Sequence, residues 1–166
     1  IVSSVGGTVV ANYWNSTNTS ISVTVPIAND NSLTGGTIQL EANVASGGFE
    51  TFGSAYTIQG VDLNSSYAFT QTATTFENLS GGLAESESVT FRAIITDLAG
   101  NSTTGSTSST TISVDQTAPN VNYVTSTQVD GLYSTGDVLP IIIFMSDTAT
   151  VSGTPQLTLE TGDSDE

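Results

Sequence analysis

The residues with chemistry to offer in this chain are oxygen donors. It carries sixteen Asp and Glu against one Lys or Arg, with no His and no Cys. Five positions stand out, because turn-forming neighbours would gather them at strand ends: Asp30, Asp97, Asn101, Asp115 and Asp147. Carboxylates and amide carbonyls suit a hard cation, and Ca²⁺ takes about six to eight such oxygens. The same residue types also favour plain turns, since Asp and Asn bond their own backbone nearby. Catalysis is poorly supplied. Without His and Cys, hydroxyl or thiol triads and His-based zinc sites cannot be assembled. Without Lys, neither Schiff-base nor Ser-Lys chemistry is open. Paired carboxylates could hydrolyse a glycoside, but in so acidic a chain close pairs arise by chance. Ser80-Gly81-Gly82 lacks the Lys and the helix of a phosphate loop and reads as a turn. The expectation is a protein that is not an enzyme.

The elements that must position these oxygens are strands. Ile21, Val23 and Val25 alternate with Ser22 and Thr24; Ile38, Leu40, Ala42 and Val44 alternate with polar neighbours; Val89, Phe91, Ala93 and Ile95 do the same, as do Leu157 and Leu159. Period-two patterning buries one face and wets the other. Gly pairs at 35–36, 47–48 and 81–82 punctuate the runs, and no convincing amphipathic helix is present. Short strands with turn signals between them predict an all-β, antiparallel sandwich. Its strand directions say which acids can meet. A first strand over 1–10 descends and a second over 19–27 climbs, which leaves Asp30 at the top. The strand Val89–Thr96 also climbs, bringing Asp97 and Asn101 to the same end. Thr111–Val114 descends and leaves Asp115 at the bottom, where Asp147 of the following segment would join it. Arg92, the sole cation, falls on the wet side of its strand and is expected to balance a carboxylate.

Composition narrows the partners. A formal charge of −15 nearly excludes nucleic acid, whose phosphates need Lys or Arg, and disfavours anionic membrane surfaces. The most apolar stretch, Val138–Met145, is far too short to span a bilayer, so direct membrane insertion is not expected. The chain opens at Ile1 without an initiator Met and reads as a piece of something longer. Trp14 and Tyr13 could stack on a sugar, but a core-closing role for Trp14 is the stronger expectation. Five Asn-x-Ser/Thr sequons stand at Asn15, Asn18, Asn64, Asn78 and Asn101.

An internal repeat is also visible. At one constant spacing, without a gap, Val2 pairs with Val121, Val5 with Val124, Val10 with Val129, Trp14 with Tyr133, Val23 with Ile142 and Val25 with Phe144. The expected organisation is a complete repeat over 1–115, a short linker over 116–119, and the first three strands of a second, incomplete repeat over 120–166. Pro119 biases Ala118 toward extended backbone, which makes the linker a semi-rigid joint.

Thr96-Asp97-Leu98-Ala99-Gly100-Asn101 followed by Val114-Asp115-x-Thr117-Ala118-Pro119 resembles the end of a bacterial immunoglobulin-like repeat of giant adhesins. Val129-Asp130-Gly131-Leu132-Tyr133-x-x-Gly136-Asp137, with Gly153-Thr154-Pro155-x-Leu157-Thr158-Leu159-Glu160-Thr161-Gly162, resembles the start of another. The resemblance covers nearly the whole chain. It implies tandem immunoglobulin-like sandwiches in a secreted, surface-bound fibre, with neighbouring repeats as partners and Ca²⁺ at the joints, held by Asp97, Asp115, Asp147, Asp30 and Asn101. It departs from the family in Ser146-Asp147, where Ser-Glu is usual, and in the absence of Lys, which removes the Lys–Asn isopeptide crosslinks of some surface domains. The expected role is a stiff spacer. The alternatives are a surface-layer or filament subunit completed by strands from other copies, and a module that binds a surface glycan or protein receptor.

Overall fold

The alternating segments become the central strands. The computed structural model describes residues 1–158, and the chain divides into two compact units, Ile1–Thr117 and Ala118–Glu166. The first unit contains β1 (Val2–Val5), β2 (Tyr13–Trp14), β3 (Ser20–Ile27), β4 (Thr37–Val44), β5 (Phe49–Thr51), β6 (Tyr56–Thr57), β7 (Ser65–Thr72), α1 (Ala73–Glu77), β8 (Ser88–Thr96), β9 (Ser102–Thr104) and β10 (Ile112–Val114). The second contains β11 (Val121–Ser126) and β12 (Ile141–Met145) among the described residues. The fold is all-β, with almost no helix.

Two sheets build the first unit. One has the order β1-β3-β7 and is antiparallel throughout. The other runs β2-β10-β8-β4-β5, with β6 on β4 and β9 on β8; its only parallel pair is β2 with β10. Both sheets feed one core. Ile21, Val23, Val25 and Ile27 point into it from β3, Ile38, Leu40, Ala42 and Val44 from β4, and Val89 and Phe91 from β8. Removing such side chains from water stabilises the fold by ~1.5–3 kcal/mol each. Arg92, on the outer face of β8, meets the expected carboxylate: its Nε donates to Glu41 Oε2 at 2.6 Å, and its guanidinium lies 3.9 Å from the Phe49 ring centroid.

The first strand is not continuous over 1–10. β1 ends at Val5, and the chain crosses to the other sheet before β2. The crossing needs Gly6 and Gly7, both at positive φ. A Cβ on Gly6 would stand 2.1 Å from Thr19 Oγ1, and one on Gly7 2.1 Å from the Thr17 carbonyl oxygen. Asn18, buried, fastens the crossing: its Nδ2 donates to the Gly6 carbonyl at 2.9 Å and its Oδ1 accepts from Asn15 N–H at 2.9 Å. Bulky alternating residues cannot supply such a corner.

A helix absent from the sequence pattern closes one end. α1 is five residues long and is capped by Thr72, whose Oγ1 accepts from Thr75 N–H. It drives Phe76 into the core, 4.7 Å from the Trp14 ring and close to Phe52 and Phe91. Trp14 is fully buried and its indole N–H donates to Glu77 Oε1 at 3.0 Å, so it packs and offers no face to a sugar.

In the second unit the described residues form a two-stranded hairpin. Leu157 lies outside any strand, and Leu159 to Glu166, including Glu160, Thr161 and Gly162 of the motif and the acidic end Asp163, Asp165 and Glu166, fall outside the described residues. The repeat spacing predicts Val121 opposite Ile142, as Val2 is opposite Val23. Instead Val121 pairs with Met145, and Ile142 pairs with Thr125. Tyr133 is 41% exposed where Trp14 is buried. Register is firmly specified only where one face is buried, and here Val121, Tyr123, Ile143 and Phe144 are all exposed.

Phe76→Ala is expected to destabilise the first unit by ~3–5 kcal/mol through the cavity it leaves. Val61→Ala, at a position 89% exposed, should change stability by less than ~0.5 kcal/mol. Urea unfolding followed by fluorescence of the single Trp reads both.

Candidate functional site

The upper end of the first unit is built from two loops that follow climbing strands. β3 runs out at Ile27, and the chain turns through Asp30 into a 3₁₀ turn over Asn31–Leu33. Asp30 caps that turn: its Oδ1 accepts from Ser32 N–H at 2.9 Å and from Ser32 Oγ at 2.8 Å. β8 runs out at Thr96, and the chain reverses through 97–101 into β9. Asp97 and Asn101 clasp this loop. Asp97 Oδ1 accepts from Asn101 N–H at 2.8 Å, and Oδ2 accepts from Asn101 Nδ2 at 2.8 Å. Gly100, at φ +91, lets the chain turn back beneath them. Leu98 N–H then donates to the Ser32 carbonyl at 3.2 Å and ties the two loops together.

Both carboxyls are held below the usual Asp value of 3.8. For Asp97 the cause is first the Asn101 side chain and then its backbone N–H; for Asp30 it is the backbone N–H of Ser32 and then its hydroxyl. The negative charge of Asp97 is felt at Asp30 and opposes its ionisation. Two ionised carboxylates thus share one end of the unit. A cation between them would relieve that repulsion. Asp30 leaves Oδ2 out of its cap, and Asn101 leaves its carbonyl Oδ1 out of the clasp, so oxygens remain to offer. They fall short of a full calcium shell, and no group of three or more acidic or His side chains gathers among the described residues. The remaining oxygens would have to come from water or from outside the unit.

Asp115 stands at the opposite end. It follows β10, which runs antiparallel to β8, and its N–H donates to the Trp14 carbonyl at 2.8 Å. Asp147 belongs to the second unit, just after β12, and its Oδ1 accepts from Thr148 N–H at 2.6 Å. Of the five expected site residues, Asp30, Asp97 and Asn101 therefore share one place, while Asp115 and Asp147 lie in different units.

Two other acids carry the lower end, and nothing in their spacing marks them. Glu77 Oε1 accepts from Trp14 Nε1 and, at 2.8 Å, from Gln116 Nε2. Glu85 Oε2 accepts from Gln116 N–H and from Thr117 Oγ1, both at 3.0 Å. Together they fasten residues 116 and 117 to the first unit. A preceding Thr or Ser with a helix-forming run, as at Thr72, is the one local signal that could have found Glu77.

A scan against protein-family models, a search of curated proteins and a search of solved structures each return no match.

The depressed values of Asp30 and Asp97 set a pH dependence. A lowered folded value means a stabilising contribution that is complete above the unfolded value and is lost as pH falls through the folded one. The Asn101 and Ser32 amide resonances should therefore stay constant from pH 7 to 5. Below pH 3.8 they should lose their hydrogen-bonded shifts, and Asp97→Ala should abolish the Asn101 transition while leaving that of Ser32.

Proposed function

We propose that the chain is a structural and adhesive segment of a large secreted or cell-surface protein, made of immunoglobulin-like sandwich repeats that act as a stiff spacer. The observation that carries this reading is where the first unit takes in and releases the chain. β1 enters at the end that holds Asp30 and Asp97, and β10 leaves at the end that holds Asp115. A module threaded from one pole to the other is suited to end-to-end repetition. The strand order adds support. β3 beside β7, β8 between β4 and β10, and a first strand divided between the sheets are features this reading expects of a Greek-key, immunoglobulin-like layout. No catalytic role is proposed, since His, Cys and Lys are all absent.

Calcium belongs to this reading as a joint cation. At the upper pole Asp30, Asp97 and Asn101 would give part of the oxygen shell and a neighbouring repeat the rest. At the lower pole Asp115 would play the corresponding part. Neutralising acids across a joint removes repulsion and limits bending. Net acidity keeps the segment soluble outside the cell. A filament or surface-layer subunit is the second reading, favoured by the apolar residues that β11 and β12 leave exposed. The glycan-binding alternative keeps only Tyr13 of its two aromatics, since Trp14 is buried.

Calorimetric titration of the chelator-treated chain should show saturable Ca²⁺ uptake that is weakened by Asp97→Ala and by Asp115→Ala. X-ray scattering should show a longer, stiffer particle in Ca²⁺ than in chelator. No uptake at millimolar Ca²⁺ removes the cation from the reading. Unchanged dimensions remove the stiffening.

A further inference from the structure

We propose that the first unit holds a docking groove for an extended, apolar peptide of another protein with a basic residue at one end. The groove opens on the side of the core where β10 is too short. β10 covers only the Ser88–Val89 end of β8. Farther up, β8 is bonded instead by β9 and by single contacts, Gly105 N–H to the Ala93 carbonyl at 2.8 Å and Ser108 N–H to the Phe91 carbonyl at 2.7 Å. A cavity of about 600 Å³ is left between the sheets, floored by the partly exposed Leu33, Ala93 and Ile95 above the buried Leu40 and Phe91, and rimmed by β1 and residues 103–108. That volume is within the ordinary range for a ligand site, roughly 300–1,000 Å³.

Three features define the occupant. The floor is apolar, so it requires apolar side chains. The rim is an unpaired edge: β1 is the outer strand of its sheet. Ile1 and Val5 spend their carbonyls on β3, accepting from Thr24 and Thr19 N–H, so the alternate residues Val2 and Ser4 turn their N–H and C=O outward. Such an edge takes another extended backbone. A helix cannot serve, because its N–H and C=O groups are used internally. The third feature is charge. Asp30 and Asp97 line the upper mouth, both held in the ionised form, which calls for a cation on the incoming segment. A second copy of this chain is a poor candidate, since it carries −15 and only one Arg. The occupant is therefore a strand of alternating apolar residues, led by Lys or Arg. The inference does not depend on the spacer reading, since it uses the first unit alone.

The test titrates the isotopically labelled full chain, in chelator, with a synthetic nonapeptide of two lysines followed by alternating valine and threonine. The expected result is saturable shift changes at Val2, Ser4, Thr103 and Ser106, with affinity roughly two- to fivefold weaker in Asp30→Asn, as expected for one exposed charge pair. A peptide with two glutamates in place of the lysines should bind more weakly still, and Ala93→Phe, which fills the groove, should abolish binding while the spectrum stays dispersed. If Ala93→Phe does not fold, the comparison of the two peptides decides. Equal binding of the glutamate peptide, shift changes confined to β11 and β12, no change at millimolar peptide, or concentration-dependent self-association through the same residues overturns the proposal.

Discussion

The first unit depends on sealing a two-sheet apolar core that nothing covalent holds shut. There is no Cys to bridge the sheets, so every open side of the core must be covered by packing. Each side is treated differently. At the lower end Trp14, Phe76 and Phe52 meet as an aromatic plug. On the β7 side Tyr56 and Tyr67, which belong to different sheets, stack at 3.6 Å between ring centroids. On the β1 side the lower half is covered by β10, with β2 beside it, and the upper half only by residues 103–108, which bond to Phe91 and Ala93. The crossing at Gly6 and Gly7 is part of the same solution. It takes the chain off the first sheet early enough for Trp14 to reach the lower end, where β2 pairs with β10.

The shortage of cations shapes the surface as strongly as the core shapes the interior. Sixteen carboxylates cannot be matched by one Arg, and the single ion pair among the described residues is Arg92 with Glu41. The others that matter are answered by neutral donors. Asp62 accepts from the Tyr56 hydroxyl and from Gln59 N–H. Glu50 accepts from Ser80 N–H and its hydroxyl. Glu87 accepts from Ala84 N–H. Each such bond stitches a loop without adding positive charge, and bonds to a charged acceptor are worth about twice neutral ones. Abundant Ser and Thr hydroxyls make this economy workable. Its consequence is a molecule that keeps nearly all its negative charge and still orders its turns.

The sequence exposed some of this and hid the rest for physical reasons. β3, β4 and β8 were legible because a buried face and a wet face impose period two on apolar residues. β7 was not: its inner face carries Phe69 and partly buried Tyr67, set among Ser, Thr and Gln, so alternation is faint. α1 was invisible because five residues are too few to show helical period, and its one buried side chain, Phe76, reads equally well as a strand residue. The break of the first strand was written in Gly6-Gly7, but a Gly pair alone says that a corner exists and not which sheet the chain joins next. The Asp97–Asn101 clasp was legible as a turn with oxygen donors. Its partner Asp30 required strand directions, which follow from counting antiparallel turns. The lower-end acids Glu77 and Glu85 required tertiary contacts that no spacing encodes.

The two poles of the first unit are consequently unlike in kind. The lower pole is fixed by the Trp14–Phe76 contact and by neutral donors reaching Glu77 and Glu85, so residues 116 and 117 leave along a path set by packing. The upper pole is two short loops joined by Leu98 N–H to the Ser32 carbonyl, and it carries the like charges of Asp30 and Asp97. Packing tolerates only discrete arrangements, whereas charge repulsion responds continuously to protons, salt and cations. Conditions in the surrounding solution therefore act directly on the carboxylates that meet at the upper pole. Because the thinly covered half of the β1 side opens at that same upper pole, anything that neutralises Asp30 and Asp97 also alters the mouth of the groove.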